Sequence, residues 1–193
     1  MKTNIKLLIL FFTINTFGQQ IVNLSTYNSG SNNNKYFKDL NNVYPNYVGT
    51  WEYFNESETF RVILTKKTRS SYDNIDTGCF IDEIQGHFML IENAGQPNET
   101  IIYTSDKEYL NSGENWISAI LLIPYSNTTR GTIIDNCIEP TLNETNKMGM
   151  LKFTINTATV PYTAHWEVIE RQGLRILNGP IFKVPLDIIL TKR

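Results

Sequence analysis

Residues 48–53 read Val48-Gly49-Thr50-Trp51-Glu52-Tyr53, and after the turn Asn55-Glu56-Ser57 the chain continues Phe60-Arg61-Val62-Ile63-Leu64-Thr65. Trp51 and Tyr53 alternate with Glu52, while Phe60, Val62 and Leu64 alternate with Arg61, Ile63 and Thr65. A period of two puts same-parity side chains on one face of an extended chain, so each run reads as a half-buried strand with one face on a core. Leu151, Phe153 and Ile155 repeat the pattern against Lys152, Thr154 and Asn156, and similar alternation runs through 80–90, 163–169 and 184–190. Residues 116–123 are apolar on both faces.

Turn-forming groups separate these runs: Asn93-Ala94-Gly95, Asn111-Ser112-Gly113, Arg171-Gln172-Gly173 and Asn178-Gly179-Pro180. No stretch after Val48 sustains a helical period with caps. Strands that follow one another through short turns, with no helices to make parallel crossovers, predict an all-β antiparallel meander of about 8–10 strands. Such a meander escapes its exposed edges by closing into a β-barrel or by forming two packed sheets.

Upstream of the strands the character changes twice. Tyr36, Phe37, Leu40 and Val43 recur at spacings of three and four, which predicts one or two helical turns over 35–43 before Pro45 stops them. Residues 19–34 end in Ser29-Gly30-Ser31-Asn32-Asn33-Asn34 and are too polar to offset the entropy of ordering, so they read as a flexible polar lead-in. Residues 1–18 read as a signal peptide: Lys2 and Lys6 border the apolar run 5–12, and Thr16-Phe17-Gly18 ends in the small residues a signal peptidase requires. The expected organisation is therefore signal peptide 1–18, lead-in 19–34 and one β-barrel domain 35–193.

That reading implies export to the periplasm or outside the cell. No cysteine follows the apolar run, which argues against a lipid anchor, and no transmembrane segment is expected because no later stretch is apolar for long enough. Of 17 Lys and Arg, two (Lys2 and Lys6) lie in the leader, leaving 15 against 19 Asp and Glu, a net charge of −4. An acidic chain argues against nucleic acid as an obligate partner, since phosphates demand a basic surface. Cys79 and Cys137 are the only two cysteines. A disulfide between them would suit an oxidising compartment and contribute roughly 3–4 kcal/mol by restricting the unfolded chain; two buried thiols are the other reading.

Gly49-Thr50-Trp51, opening the first strand after a short helical turn, resembles the lipocalin and fatty-acid-binding (calycin) superfamily. The resemblance implies a lipocalin-like barrel whose narrow end is plugged by the Trp51 indole, with a cation from the last strand, Lys192 or Arg193, packed over the ring. A second resemblance rests on Lys35-Tyr36-Phe37-Lys38-Asp39-Leu40-Asn41, on 48–53 and on 60–67, together with a leader ending Phe17-Gly18-Gln19. These segments look like an uncharacterised domain-of-unknown-function family of small exported proteins from flavobacterial-type bacteria. That likeness implies compartment and size and carries over no catalytic residue.

The chemistry-bearing motifs are sparse. There is no Gly-x-Ser-x-Gly elbow, no phosphate-cradling glycine loop and no His-Glu-x-x-His helix. Parity turns the two histidines, His87 and His165, outward on different strands, a poor arrangement for an acid/base pair or a metal. Asp73-Asn74-Ile75-Asp76 lacks the spacing of a calcium loop and reads as a solvated turn. Asp82-Glu83 and Glu167 with Glu170 bring no carboxylate pair into one interior, so neither catalytic residues, nor a metal site, nor a cofactor is expected. Aromatic residues near strand ends, among them Tyr36, Tyr44, Tyr47, Tyr103, Tyr109 and Tyr125, close a β core or line a ligand mouth. Three classes of function remain, and an enzyme comes last among them because no catalytic group stands out. The first is binding of a small apolar ligand inside the barrel, lined by Trp51, Tyr53, Phe60, Val62, Leu64, Phe153 and Trp166. The second is an interaction or structural module with a filled core, no small-molecule ligand and an unknown protein partner.

Overall fold

The computed structural model describes residues 19–27, 31–72, 75–106, 118–137, 147–170 and 182–193. Eleven strands run in chain order among them: β1 Gln20–Asn23, β2 Lys35–Lys38, β3 Gly49–Asn55, β4 Glu58–Ser71, β5 Phe80–Glu92, β6 Thr100–Thr104, β7 Ile120–Leu122, β8 Thr128–Asp135, β9 Lys147–Asn156, β10 Thr163–Glu170 and β11 Asp187–Lys192. One short helix, α1 Tyr44–Tyr47, precedes β3, and a 3-10 turn, Leu24–Thr26, follows β1.

Eight strands close into a lipocalin-like antiparallel barrel. β3 pairs β4, β4 pairs β5, β5 pairs β7, and the meander continues through β8, β9, β10 and β11. β11 then returns to β3, with Lys192 opposite Trp51. Every link is antiparallel and joins strands in chain order, as the alternation required. Closure leaves these strands no open edge. At one end lie α1 and the start of β3; at the other lie the β3–β4 hairpin and the start of β11. These are called the closed end and the open end below.

Parity decides what fills the interior. Trp51 is opposite Val62, Val62 opposite Phe88, Phe153 opposite Trp166, and Ala164 opposite Leu190, all buried. Curling a sheet this tightly brings backbones together, and Gly131 on β8 marks the closest approach. A Cβ there would lie 2.0 Å from the Leu121 carbonyl oxygen, so no larger residue fits.

Three expectations are corrected. The 35–43 helix does not form: Lys35–Lys38 is a strand, parallel to β5 with Tyr36 opposite Phe80, and the helix starts at Tyr44 with Pro45 in its first turn. Proline suits that position because its missing N–H would have no helical partner. The spacing of three and four instead spans a turn, in which the Asp39 carboxylate accepts the N–H groups of Val43 and Tyr44. The lead-in is also ordered where described. Gln20–Asn23 runs parallel to β2, and Leu24 is 2% exposed against the core. Polar composition misled here because four backbone-paired residues and one buried leucine suffice to hold the segment. Finally, no disulfide joins Cys79 and Cys137. Both are buried, but Cys79 precedes β5 at the closed end and Cys137 follows β8 at the open end. A bridge requires Cα atoms within ~7 Å.

Candidate functional site

At the closed end, α1 turns both of its tyrosines inward. Tyr44 and Tyr47 are fully buried, the Tyr47 hydroxyl donates to the Ser126 carbonyl at 2.7 Å, and the Trp51 indole N–H donates to the Tyr47 carbonyl at 2.7 Å. The Lys192 ammonium stands 5.4 Å from the Trp51 ring centre and donates to the carbonyls of Pro45 and Asn46 at 2.8 and 3.0 Å. Burial holds its pKa below the usual lysine value. Gly49, at φ +128°, makes this possible: a Cβ would sit 3.2 Å from the Lys192 Cε, in the path of the lysine stem. Arg193 goes elsewhere, over the Phe54 ring at 4.6 Å and to Glu52 at 2.7 Å on the outer face.

The barrel axis above Trp51 is occupied by rings. Trp51 meets Phe153 at 5.4 Å, Phe153 meets Trp166 at 6.4 Å, Trp166 meets Phe60 at 5.5 Å and Phe60 meets Phe88 at 5.9 Å, the first three edge-to-face. Edge-to-face pairs at such distances are attractive in their own right. The seven side chains expected to line a pocket are thus disposed in two ways. Trp51, Phe60, Val62, Leu64, Phe153 and Trp166 are buried in the core, touching one another, whereas Tyr53 is half-exposed at the open end.

A cleft of about 200 Å³ opens beside Tyr53. Phe60, Leu90 and Tyr103 form its apolar walls, and Asn55 and Glu58 stand at its rim. Pairing explains the convergence: Tyr53 is opposite Phe60, Phe60 opposite Leu90, and Leu90 opposite Tyr103 across β6. The last wall is the segment 182–186, which crosses the barrel end before β11. Its Pro185 carbonyl accepts the Trp166 indole N–H at 2.7 Å, its Lys183 carbonyl accepts the Tyr103 hydroxyl at 3.0 Å, and Val184 is buried beneath it. Burial is the main influence raising the Tyr103 pKa, so the phenol stays a donor. Sequence reading missed this strap because 184–190 alternates like a strand, while β11 begins only at Asp187. Glu58 and Leu90 were legible, since each shares parity with an inward ring.

Polar clusters elsewhere are saturated. Asp82, wholly buried, lies between the barrel and the β1–β2 ribbon, a burial that alternation alone did not signal. It accepts the Tyr36 hydroxyl at 2.6 Å and the Arg69 N–H at 3.1 Å, and pairs with Lys66 at 3.3 Å. Burial alone would raise its pKa, but these donors outweigh it and hold the carboxyl below its usual value; Tyr36 is pushed up to about 12, first by burial and then by Asp82. Glu83, on the opposite face, accepts from Ser70, Tyr72 and Gln85. A bulge between Lys67 and Ser70, with Arg69 at φ 56°, supplies one donor to each carboxylate, the Arg69 N–H to Asp82 and the Ser70 hydroxyl to Glu83.

The imidazoles do not meet. His165 lies on β10 with Nε2 2.6 Å from Asp187, and His87 lies on β5 opposite Ile63, its Nδ1 buried without a hydrogen-bond partner among the described residues. Among the described residues no three His, Cys, Asp or Glu side chains gather as a metal site, and no helix is long and apolar enough to cross a membrane. Asp73, Asn74, Tyr109 and Trp116 lie outside the described residues, as do 1–18, 171–181 and the turn 111–113.

No curated protein and no solved structure matches the chain. A family model does, over residues 1–193: with its Gly49–Trp51 entry to an eight-stranded barrel, this chain belongs to the family of unknown function DUF6705.

Proposed function

We propose that this chain is an exported binding protein that receives a small, partly apolar ligand at the open end of its barrel and not along the axis. The cleft bounded by Tyr53, Phe60, Leu90 and Tyr103 carries the proposal: apolar side chains from four strands meet Asn55, Glu58 and Lys183 there, so a small ligand finds both apolar and polar contacts. The ring stack from Trp51 to Phe88 argues against a fatty-acyl chain, which would have to displace several buried aromatics. Export is supported by the order of cationic start, apolar run and small-residue end in 1–18. The Gln19 side chain, which donates to the Gly78 carbonyl and accepts from Arg69, fits a folded domain that begins at the expected cleavage point.

The test is ligand-observed NMR with single-ring compounds, run beside uptake of a fluorescent fatty acid and beside a Leu90→Trp variant whose indole fills the cleft. Single-ring binding that Leu90→Trp abolishes, with no fatty-acid uptake, is the expected result. Fatty-acid uptake would overturn the mouth reading in favour of an axial pocket. The same ring stack favours a second reading, a filled module acting through its surface, and failure of every small compound to bind would leave that one standing. Export is checked by the intact mass of protein recovered from the cell envelope or medium, which should begin at Gln19.

A further inference from the structure

We infer that the ligand of the open-end cleft is a small organic amine bearing one ring, with the Glu58 carboxylate as its counter-ion and the Tyr53 and Tyr103 rings as its walls. This deepens the mouth-cleft reading and rests on it.

Glu58 is set apart from the other acids that the fold holds in place. Asp82 and Glu83 are saturated by hydroxyl, amide and ammonium donors; Glu52 is held between Arg61 and Arg193; Asp135 accepts the N–H groups of Cys137 and Lys183. Glu58 makes no hydrogen bond or ion pair among the described residues, although parity aims it to the same side as Phe60 and into the cleft. Lys183 also lines the cleft as a cation, but its ammonium is turned to the Cys137 carbonyl at 3.2 Å and makes no ion pair with Glu58.

The neighbouring register sharpens the sign. Glu58 is directly opposite Glu92 of β5, a side chain that is exposed beside the cleft and does not line it, so a second carboxylate adds negative charge next to the mouth. Like charges opposed across a strand pair repel, and a cation between them relieves that repulsion. An anion in the cleft would meet the Glu58 carboxylate. The lining includes three aromatic rings, Tyr53, Phe60 and Tyr103, a residue type that attracts cations, and the Tyr53 hydroxyl, which makes no hydrogen bond among the described residues, is available to the same ligand. Size sets the rest. A volume of about 200 Å³ exceeds the ~150 Å³ of an apolar cavity that takes up benzene, so a single ring with a short amine arm fits and an acyl chain does not.

Three probes of nearly equal shape separate charge from shape: 2-phenylethylamine, 2-phenylethanol and 3-phenylpropionate, titrated into the purified protein by calorimetry or ligand-observed NMR. The amine should bind about fivefold or more tightly than the alcohol, with the carboxylate weakest, and added salt should weaken the amine alone. Glu58→Gln should bring the amine down to the affinity of the alcohol and leave the alcohol unchanged, while Leu90→Trp abolishes both. Circular dichroism of the two variants guards against misfolding. Equal binding of amine and alcohol, or an amine affinity indifferent to Glu58→Gln, overturns the amine assignment and spares the cleft. Binding of none of the three overturns both.

Discussion

The two ends of this barrel are built from the same kinds of residue and differ in what their polar groups do. At the closed end each polar atom near the ring has a partner within the chain: the Trp51 indole on Tyr47, the Tyr47 hydroxyl on Ser126, the Lys192 ammonium on Pro45 and Asn46. At the open end Tyr53 and Glu58 face the cleft without such partners among the described residues, and the wall opposite is a strap anchored at Trp166 and Tyr103. Satisfied polar groups rigidify a core and unsatisfied ones invite a ligand. The comparison therefore assigns stability to one end and recognition to the other.

The largest expected effect is at the closed end. Trp51→Ala removes a fully buried ring and should cost about 3–5 kcal/mol in urea unfolding. Leu90→Ala at the open end removes a half-exposed side chain and should cost about 1 kcal/mol. Equal losses would break the division between the two ends.

Next is Asp82, which ties the β1–β2 ribbon to the barrel near the closed end. Asp82→Asn should cost about 1–3 kcal/mol at pH 6, since it weakens a buried acceptor of four donors, Tyr36, Arg69, Lys66 and Asp39. The sign of its pH dependence follows from the lowered pKa. The contribution is present above the unfolded-state value, and it is lost as pH falls through the lower folded value. Wild type should therefore lose more stability on acidification than the variant, and urea midpoints at successive pH values should converge. A gap constant with pH would show that charge on Asp82 is immaterial.

How far these ends were legible in the sequence follows from the range of the contacts involved. Alternation over 48–65 and 151–155 fixes which side chains face inward, because parity is local, and the meander follows from strands in order. Gly49 and Trp51 carried the closed end for the same reason. Lys192 and Arg193 could not be told apart, because both are cations at the same strand end and only register puts Lys192 opposite Trp51. The ribbon was hidden because β2 pairs with a strand more than forty residues away, and four-residue strands leave no period to read. Residues 184–186 of the strap share the strand alternation of 184–190, because Val184 is buried, although β11 begins only at Asp187. Whether inward rings touch or enclose space is a matter of side-chain volume along the axis, on which alternation is silent.

Lys192→Met tests how much the cation adds to the closed end beyond its stem. The methionine keeps an apolar chain across Gly49 and loses the charge over Trp51, so a cost of about 0.5–1 kcal/mol is expected. In a double-mutant cycle with Trp51→Leu that cost should shrink, because the cation then has no ring face to address. Undiminished cost would assign the effect to the Pro45 and Asn46 carbonyls alone.

The smallest effect concerns the link between the ends. A bridge from Cys79 to Cys137 would join the closed end to the open end and stabilise the fold by roughly 4 kcal/mol through the long loop it closes. With the two cysteines at opposite ends, reductant should instead leave the urea midpoint unmoved, and iodoacetamide should label two thiols in unfolded, unreduced protein. A midpoint that falls on reduction, with no label taken up beforehand, would require Cys79 and Cys137 to lie side by side. The strand directions of β5 and β8, and with them the separation of the two ends, would then be wrong.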